Sequence, residues 1–158
     1  MSIVSVRTIT DAEDKALPAI VPLFEAMHAE MARQGMLLGL TSDGARIWLE
    51  GAKGGLERFG HLAVAEADGQ VIGFAYAVVK LAPEHLGGAR IGHIAHVFVA
   101  PAHRRSGIAR ELVASLHEWL GAKQVTSIEL QVVHRNEAGL AFWRSLGYET
   151  ELLQLRKS

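Results

Sequence analysis

The segment from Val97 to Ala109, VFVAPAHRRSGIA, constrains the fold of this chain more than any other stretch. Its apolar run predicts a strand, Pro101 predicts a bend, and the residues around Gly107 predict a tight turn that leads into a helix. Backbone N–H groups in such a turn point in one direction, and the positive end of the helix dipole adds to them. Because Gly107 has no Cβ, an anion can approach the backbone closely. The segment therefore predicts a site for a phosphate or pyrophosphate.

Composition limits the class of protein to which the chain can belong. The chain has 158 residues, of which 49% are hydrophobic and 21% charged, and this predicts one packed domain over residues 1–158. A net charge of −1 gives no sign of a nucleic-acid partner. The chain has no cysteine, which excludes disulfides, thiolate nucleophiles and cysteine metal sites.

The sequence predicts neither a targeting segment nor a membrane span. The N-terminal residues lack the basic stretch and apolar core of a signal peptide. The longest apolar run, Val71–Val79, has nine residues, whereas a membrane helix needs about 20. We therefore expect a cytoplasmic protein without a membrane partner.

Hydrophobic periodicity and turn signals predict an α/β fold. Asp68-Gly69 between two apolar runs predicts a hairpin, and apolar residues at spacing four in Ile108–Leu120 predict a helix that lies on a sheet. The predicted strands are Ile3–Thr10, His61–Ala67, Gln70–Leu81, Arg90–Val99, Ile128–Val132 and Tyr148–Leu155. The predicted helices run from just after Asp11 to about Arg33, and over Ser42–Leu56, Gly107–Leu120 and Asn136–Leu146. This order predicts a mixed sheet with helices on both faces.

Three motifs, in this order along the chain, resemble the GCN5-related N-acetyltransferase superfamily. The first is the strand HVFVAP, and the second is RRSGIA, which matches the family signature (Q/R)-x-x-G-x-(G/A). The third is NEAGLAFWRSLGY, a block that starts at Asn136 and ends in Gly-aromatic at Tyr148. The detailed resemblance covers residues 91–149. It implies a central mixed sheet of six to seven strands and acetyl-CoA as the acyl donor.

The resemblance also implies how acetyl-CoA would bind. The edge of the central strand at Val97, Phe98 and Val99 would pair with the pantetheine arm. In the family this strand separates from its neighbour, here after Val132–Val133, and leaves a cleft for the thioester. The backbone amides that would hold the pyrophosphate belong to Arg104, Arg105, Ser106, Gly107, Ile108 and Ala109.

The resemblance implies roles in the site for several further residues, and each of these residues could instead have a purely structural or surface role. Asn136 would contact the pantetheine or orient the cleft, and it is equally suited to cap a helix. Phe142 and Trp143 would line the cleft wall, or they pack in the core. Gly107 alone would be explained by a tight turn before a helix. The two arginines of the motif could be solvated surface charges, and Arg105 stands where the family commonly has glycine.

Acyl transfer to an amine needs a proton acceptor, because a lysine-like ammonium has a pKa of about 10.4. The central strand offers His93 and His96, and Ala95-His96 replaces an acidic pair common in the family. Residues three apart on a regular strand point to opposite faces, so only one histidine could face the cleft. Either histidine is the base, or both are ordinary core residues. A backbone N–H within Val97–Val99 would stabilise the oxyanion.

The remaining chemical groups are less defined. Many family members have a tyrosine where this chain has Trp143, and an indole cannot donate a proton to sulfur, so the general acid is unassigned. Tyr148 could serve, but its position in the Gly-aromatic pair favours a structural role. The other histidines show no ligand spacing backed by a carboxylate, and no metal is predicted. Four acids either attract a cationic acceptor or are ordinary surface charges: Glu25, Glu30, Asp43 and Glu84.

The leading prediction is an N-acetyltransferase that moves the acetyl group of acetyl-CoA to a primary amine on a small molecule, peptide or protein. Direct attack in a ternary complex is expected, because no cysteine can carry the acyl group. A non-catalytic acyl-CoA-binding or sensor module is the main alternative, and Trp143 and the missing acidic pair favour it. An unrelated phosphate-binding α/β protein is the third. The resemblance also allows a homodimer.

Overall fold

The computed structural model of the chain describes residues 3–158, so Met1 and Ser2 of the predicted domain lie outside the described residues. The bounds are β1 Val4–Ile9, α1 Leu17–Arg33, α2 Gly44–Lys53, β2 Gly60–Ala67, β3 Gln70–Leu81, β4 Arg90–Val99, α3 Ile108–Ala122, β5 Ser127–Leu130 and α4 Glu137–Ser145, with short 3-10 turns at Glu84–Leu86 and Pro101–His103. None of the helices within the described range is long and apolar enough to cross a membrane.

The described strands form one mixed sheet in the order β1-β2-β3-β4-β5. The pairs β1–β2, β2–β3 and β3–β4 are antiparallel, and β5 runs parallel to β4. The turn between β2 and β3 is Asp68-Gly69, with φ angles of 52° and 75°, as a tight two-residue hairpin requires. The predicted hairpin and the predicted mixed sheet are confirmed.

Helices cover both faces of the sheet, as predicted. On one face, which we call the α3 face, Leu112, Leu116 and Leu120 are fully buried. The apolar stripe at spacing four thus does lie against the strands. On the other, the α1–α2 face, Phe24 of α1 packs against Phe74 of β3 within a second core.

Helix α1 begins only at Leu17, later than predicted. Pro18 lies in its first turn, where a missing N–H is tolerated. The preceding residues form a turn in which the Asp14 carboxylate accepts the Ala16 N–H at 2.9 Å. The same carboxylate accepts two bonds from the Arg7 guanidinium, at 2.7 and 2.8 Å. These bonds keep the segment out of the helix and tie it to β1.

The prediction of a last strand over Tyr148–Leu155 is wrong, and the described sheet has five strands instead of six to seven. The alternating pattern is present, but residues 149–158 are all exposed. Within the described chain, no main-chain hydrogen bond joins them to another strand. A strand forms only against a neighbour that accepts its ladder, and periodicity does not show whether such a neighbour exists.

Strand β4 carries a bulge that decides which side chains share a face. Tyr76 of β3 lies opposite His96, but the next residue, Ala77, lies opposite Ile94. Ala95 is therefore the extra residue of a β-bulge. Beyond it, His93 pairs with Val78.

Candidate active site

The turn between β4 and α3 has the geometry that the sequence predicts for an anion site. Gly107 is the N-cap of α3 with a φ of 85°, and a Cβ placed there would meet nothing within 4 Å. Arg105 also has a positive φ, of 66°, which an L-residue adopts only at a cost. The exposed turn therefore presents its backbone to solvent and not to the protein interior.

The backbone N–H groups of this turn are available to a ligand. Across residues 3–158, no acceptor is bonded to the amides of residues 105–109. The Arg104 amide already donates to the Pro101 carbonyl at 3.3 Å, so the run begins one residue later than predicted. These donors precede and open a 15-residue helix, whose dipole favours an anion at this end. The arrangement fits a pyrophosphate.

The side chain of Arg104 supports the turn. Its Nε donates to the Val99 carbonyl at 2.7 Å, and its two terminal nitrogens donate to the Glu30 carboxylate at 3.0 and 2.6 Å. The guanidinium also lies over the Phe98 ring, 5.2 Å from its centroid. This bidentate contact lowers the pKa of Glu30. Glu30 therefore holds the turn to α1, which makes it a poor candidate for attracting an acceptor amine.

Next to the turn, one edge of β4 is free. Strand β5 pairs with β4 only over residues 91–94. From His96 to Val99, β4 pairs with β3 on one side, and in the described chain no strand occupies the other. The separation starts where β5 ends at Leu130, earlier than the expected Val132–Val133.

Main-chain groups alternate between the two edges of a strand. Because the Ala100 N–H donates to the Ile72 carbonyl of β3, Phe98 also points to β3, whereas Val97 and Val99 face the free edge. The Val99 carbonyl there already accepts from Arg104 Nε, which leaves the N–H of Val99 and both main-chain groups of Val97 for an extended ligand.

His93 and His96 lie on the same face of the sheet, so the prediction of opposite faces is wrong. The spacing argument assumes a regular strand, and the bulge at Ala95 adds one residue between them. Their partners Tyr76 and Val78 are two residues apart on β3 and therefore share a face. Tyr76 packs with the core of the α1–α2 face. Both histidines consequently face α1 and α2.

His96 lies in an aromatic cluster. Its ring meets Phe24 edge-on at 5.0 Å and Trp48 at 5.3 Å between centroids. Trp48 also meets Tyr76 at 5.4 Å. Burial, with smaller contributions from the positive charges of His28 and His93, lowers the pKa of His96 to about 4. The imidazole is therefore neutral at pH 7 and a weak proton acceptor.

His93 has a different environment. Its Nδ1 lies 2.9 Å from a carboxylate oxygen of Glu129 on β5, and Lys80 of β3 contacts the same oxygen at 2.8 Å. The Lys80 contact is the main reason that the pKa of Glu129 is lowered. When the His93 ring is neutral and the ionised Glu129 accepts its Nδ1–H, Nε2 keeps its lone pair. No group in residues 3–158 bonds to that Nε2.

The third motif, which runs from Asn136 to Tyr148, has the structural roles of helix capping and core packing in this fold. Asn136 caps α4, because its side-chain oxygen accepts the Gly139 N–H at 2.9 Å. Trp143 is partly buried against the core of the α3 face and meets Phe142 edge-on at 5.0 Å. The Tyr148 hydroxyl bonds to His117 Nε2 at 2.7 Å, and burial raises the pKa of Tyr148 to about 12. Tyr148 is thus a structural residue in this fold.

The sequence did not single out several residues that surround the histidines. The residues that the structure places around His93 and His96 are Phe24, Trp48, Tyr76, Lys80 and Glu129. Alternation in β5 indicates that Glu129 lies on the opposite face from Ile128 and Leu130. Its contact with His93 also needs the β4–β5 register, which local patterns do not supply. In the described part of the chain, no cluster of three or more His, Asp or Glu side chains could hold a metal ion.

The chain resembles curated acetyltransferases over part of their length. A mycothiol acetyltransferase of Amycolatopsis mediterranei is 35% identical over 86 residues, which are 54% of this chain and 29% of that protein. The mycothiol acetyltransferase of Renibacterium salmoninarum is 26% identical over 145 residues, 92% of this chain and 40% of that protein. An aminoglycoside N(6')-acetyltransferase type 1 of Acinetobacter haemolyticus is 30% identical over 99 residues, 60% of this chain and 67% of that protein. The chain thus spans less than half the length of the two mycothiol acetyltransferases.

Solved structures share the fold over nearly the whole chain. The aminoglycoside N-acetyltransferase AAC(6')-Iy in complex with CoA has a TM-score of 0.78 at 20% identity, with 99% of this chain and 96% of that chain covered. AAC(6')-Iy in complex with the bisubstrate analogue CoA-S-monomethyl-acetylneamine has a TM-score of 0.74 at 21% identity, with 99% of both chains covered. A model of the acetyltransferase (GNAT) family matches residues 30–148. With well over half of its length matched in this way, the chain belongs to the acetyltransferase (GNAT) family.

Proposed function

We propose that residues 1–158 act as an N-acetyltransferase that moves the acetyl group of acetyl-CoA to a primary amine. The observation that carries the proposal is the unbonded run of backbone amides over residues 105–109, adjacent to the free edge of β4. A diphosphate suits the amides, and an extended amide-bearing arm suits the strand edge. Acetyl-CoA combines both groups in one molecule.

The two binding features would bring the thioester toward the histidines. A pantetheine arm that starts at the turn and follows Val99 toward Ala95 would approach the bulge from the end of the strand nearer to α3. His96 and His93 lie at and just beyond that bulge, on the face covered by α1 and α2. We therefore propose that the acceptor amine enters from the α1–α2 face. A backbone N–H of Val97–Val99 would stabilise the oxyanion of the tetrahedral intermediate.

Of the two histidines, we propose that His93 takes the proton of the amine. His96, with a pKa of about 4, would accept a proton from an ammonium at a cost of roughly 6 pKa units, given an amine pKa of about 10.4. His93 is held by Glu129 at Nδ1 and has its Nε2 free within the described chain. A carboxylate partner also stabilises the imidazolium that forms. His96 then serves as an uncharged wall of the acceptor site.

The transfer itself needs no covalent enzyme intermediate. The ammonium gives one proton to His93, which passes it to solvent, and the neutral amine attacks the thioester carbonyl. The C–N bond forms, the nitrogen loses a second proton to water, the C–S bond breaks, and CoA leaves as a thiolate. With a thiol pKa of about 8.5, departure without a proton donor costs on the order of 2 kcal/mol at neutral pH. Trp143 cannot donate to sulfur, and Tyr148 is bonded to His117. We therefore propose that the thiolate leaves without a side-chain acid.

A non-catalytic acyl-CoA-binding module of the same fold is the second candidate. Two observations favour it: the low pKa of the partly buried His96, and the position of Trp143 against the core in place of a proton donor. This candidate keeps the same amide run and strand edge, and it differs only in turnover.

An acceptor screen distinguishes the candidates. The purified chain is incubated with acetyl-CoA and a panel of amines that starts with aminoglycosides, since an aminoglycoside N(6')-acetyltransferase is among the relatives, and continues with peptides and protein N-termini. The expected result is acceptor-dependent release of free thiol and an acetylated amine by mass spectrometry. Calorimetric binding of acetyl-CoA without turnover across the panel would favour the binding module. Binding of ATP without binding of CoA would overturn both.

A further inference from the structure

A serine, a histidine and a glutamate are joined by hydrogen bonds at a place that the acetyl transfer does not use. His61 Nδ1 lies 2.8 Å from a carboxylate oxygen of Glu57, and His61 Nε2 lies 2.8 Å from the hydroxyl oxygen of Ser115. The three residues come from the loop between α2 and β2, the beginning of β2 and the middle of α3. Hydroxyl, imidazole and carboxylate in this order form the arrangement in which a base activates a serine.

These three side chains, which we call the His61 cluster, lie on the opposite side of the sheet from the acceptor site. Leu62 of β2 lies opposite Tyr76, whose side chain packs with the core of the α1–α2 face. His61 is the preceding residue in a regular part of the ladder and therefore points to the α3 face. Its ring stacks on Trp119 of α3, with 5.4 Å between the ring centroids. The His61 cluster is thus separate from His93 and His96.

The surroundings of His61 hold its ring in one orientation. The residue is 4% exposed, it has a partner at each ring nitrogen, and it stacks on an indole. When the ring is neutral and the ionised Glu57 accepts its Nδ1–H, Nε2 keeps its lone pair and accepts the O–H of Ser115. In this protonation state Nε2 can take the proton of the hydroxyl as the oxygen attacks an electrophile.

The two ends of the His61 cluster reach the surface. Ser115 is partly exposed, so a small molecule can reach its hydroxyl while the imidazole behind it stays buried. Glu57 has a φ of 66°, which an L-residue adopts only at a cost. Its N–H donates to the Gly60 carbonyl at 2.7 Å, and this bond fixes the turn from which the carboxylate reaches the histidine.

We propose that Ser115 is a second reactive group of this protein and takes the acyl group of small carboxylic esters. The serine oxygen attacks the ester carbonyl while His61 Nε2 takes its proton. The C–O bond to the alcohol then breaks, and the alcohol leaves with that proton. Water attacks the acyl-serine in the same way: it gives a proton to Nε2, the acid leaves, and the serine oxygen takes the proton back.

The position of Ser115 within a helix sets the expected rate. The main-chain N–H groups around it are bonded within α3, so they offer no oxyanion hole, and solvent stabilises the oxyanion instead. General-base assistance by His61 remains, and such assistance contributes about 100-fold or more to a rate. We therefore expect a reactive serine with slow turnover.

Labelling with diisopropyl fluorophosphate tests the nucleophile, because its phosphorus bonds to a serine oxygen and fluoride leaves. Mass spectrometry of the digested protein identifies the labelled serine. Ser115 is expected to react about 100-fold faster than Ser145, an exposed serine of α4 whose hydroxyl donates to the Phe142 carbonyl. Equal labelling rates at the two serines would overturn the proposal.

Substitution of the carboxylate separates activation from simple exposure. Glu57→Gln preserves the shape of the side chain but removes the charge that stabilises the imidazolium, and it is expected to slow labelling of Ser115 about tenfold or more. Glu50→Gln, on the exposed side of α2, is the matched control and leaves the labelling rate unchanged. Circular dichroism verifies that both variants are folded. Labelling that is equally fast in folded Glu57→Gln contradicts activation through His61.

Release of para-nitrophenol from para-nitrophenyl acetate measures the hydrolytic step. The assay contains neither CoA nor an amine, so its outcome is independent of acetyl transfer. Slow, continuous release is expected from the unaltered chain and from Ser145→Ala, and its loss is expected in Ser115→Ala. Release that persists in Ser115→Ala rules out the assignment. A single burst, equal in amount to the protein and followed by no further release, rules out the hydrolysis of the acyl-serine.

Discussion

Replacing Gly107 by alanine tests the anion site, because the structure separates the cost of folding from the cost of binding. Gly107 has a φ of 85°, and the left-handed conformation costs an L-residue about 1–2 kcal/mol. A Cβ there meets nothing within 4 Å, so no clash adds to that cost. We expect Gly107→Ala to lower the free energy of unfolding by about 1 kcal/mol.

Binding of CoA should suffer more. The new methyl group occupies the space through which a phosphate approaches the amides of residues 105–109. Loss of one charge-assisted hydrogen bond costs about 1.5–3 kcal/mol. That converts to a Kd for CoA that is roughly 10- to 100-fold higher.

The chain offers a matched control at Gly69. It also has a positive φ, of 75°, with nothing within 4 Å of an added Cβ, but it lies in the β2–β3 hairpin. Gly69→Ala should lose a similar amount of stability and bind CoA like the unaltered chain. Chemical denaturation measures the stability of both variants, and isothermal titration calorimetry measures the Kd for CoA. The reasoning fails if Gly107→Ala keeps its CoA affinity, or if Gly69→Ala loses affinity to the same extent.

Three further predictions follow from the geometry. His93→Ala should lower kcat by about 100-fold or more, with less effect at high pH where the amine is already deprotonated, whereas His96→Ala should leave the shape of the pH–rate profile unchanged; identical profiles would contradict the assignment. Asp14→Asn should cost about 1 kcal/mol at pH 7 after allowance for solvent screening. Arg7 lowers the pKa of Asp14 to about 2 in the folded protein. The stabilisation by the Arg7–Asp14 pair is therefore present above the ordinary carboxyl pKa of about 4 and disappears as the pH falls through about 2. Urea denaturation above and below this pH range checks it. Arg105→Gly should raise the unfolding free energy by about 1 kcal/mol, because the φ of 66° suits glycine; an unchanged thermal midpoint would contradict the argument.

Local sequence signals were sufficient to predict a structural feature where the residues that form it lie in one continuous segment of the chain. The Asp68-Gly69 turn closes a hairpin between adjacent strands, and the spacing of Leu112, Leu116 and Leu120 fixes which side of α3 is buried. The unbonded amides around Gly107 were also predicted from local signals, since the strand, the turn and the beginning of the helix follow one another directly in the chain. Asn136 likewise caps the helix that it precedes.

Local sequence signals were not sufficient where a structural feature depends on residues far away in the chain. The pattern of residues 148–155 is that of a strand, but a strand exists only where another strand accepts its hydrogen bonds, and in the described chain this one has none. The role of Glu30 is similar, because only the packing of α1 beside the turn shows that its carboxylate meets Arg104.

The sequence by itself determined the order of elements up to α4, the layering of helices on a mixed sheet and the turn before α3, because each of these follows from residues close together in the chain. Only the tertiary structure decided the surroundings of the two candidate histidines. The bulge at Ala95 brings His93 and His96 to one face, and the strand register sets Glu129 beside His93 while aromatic rings enclose His96. The face of a sheet to which a side chain points changes with each extra residue that a bulge adds to the strand. The basicity of a histidine depends on the groups from other strands and helices that surround it.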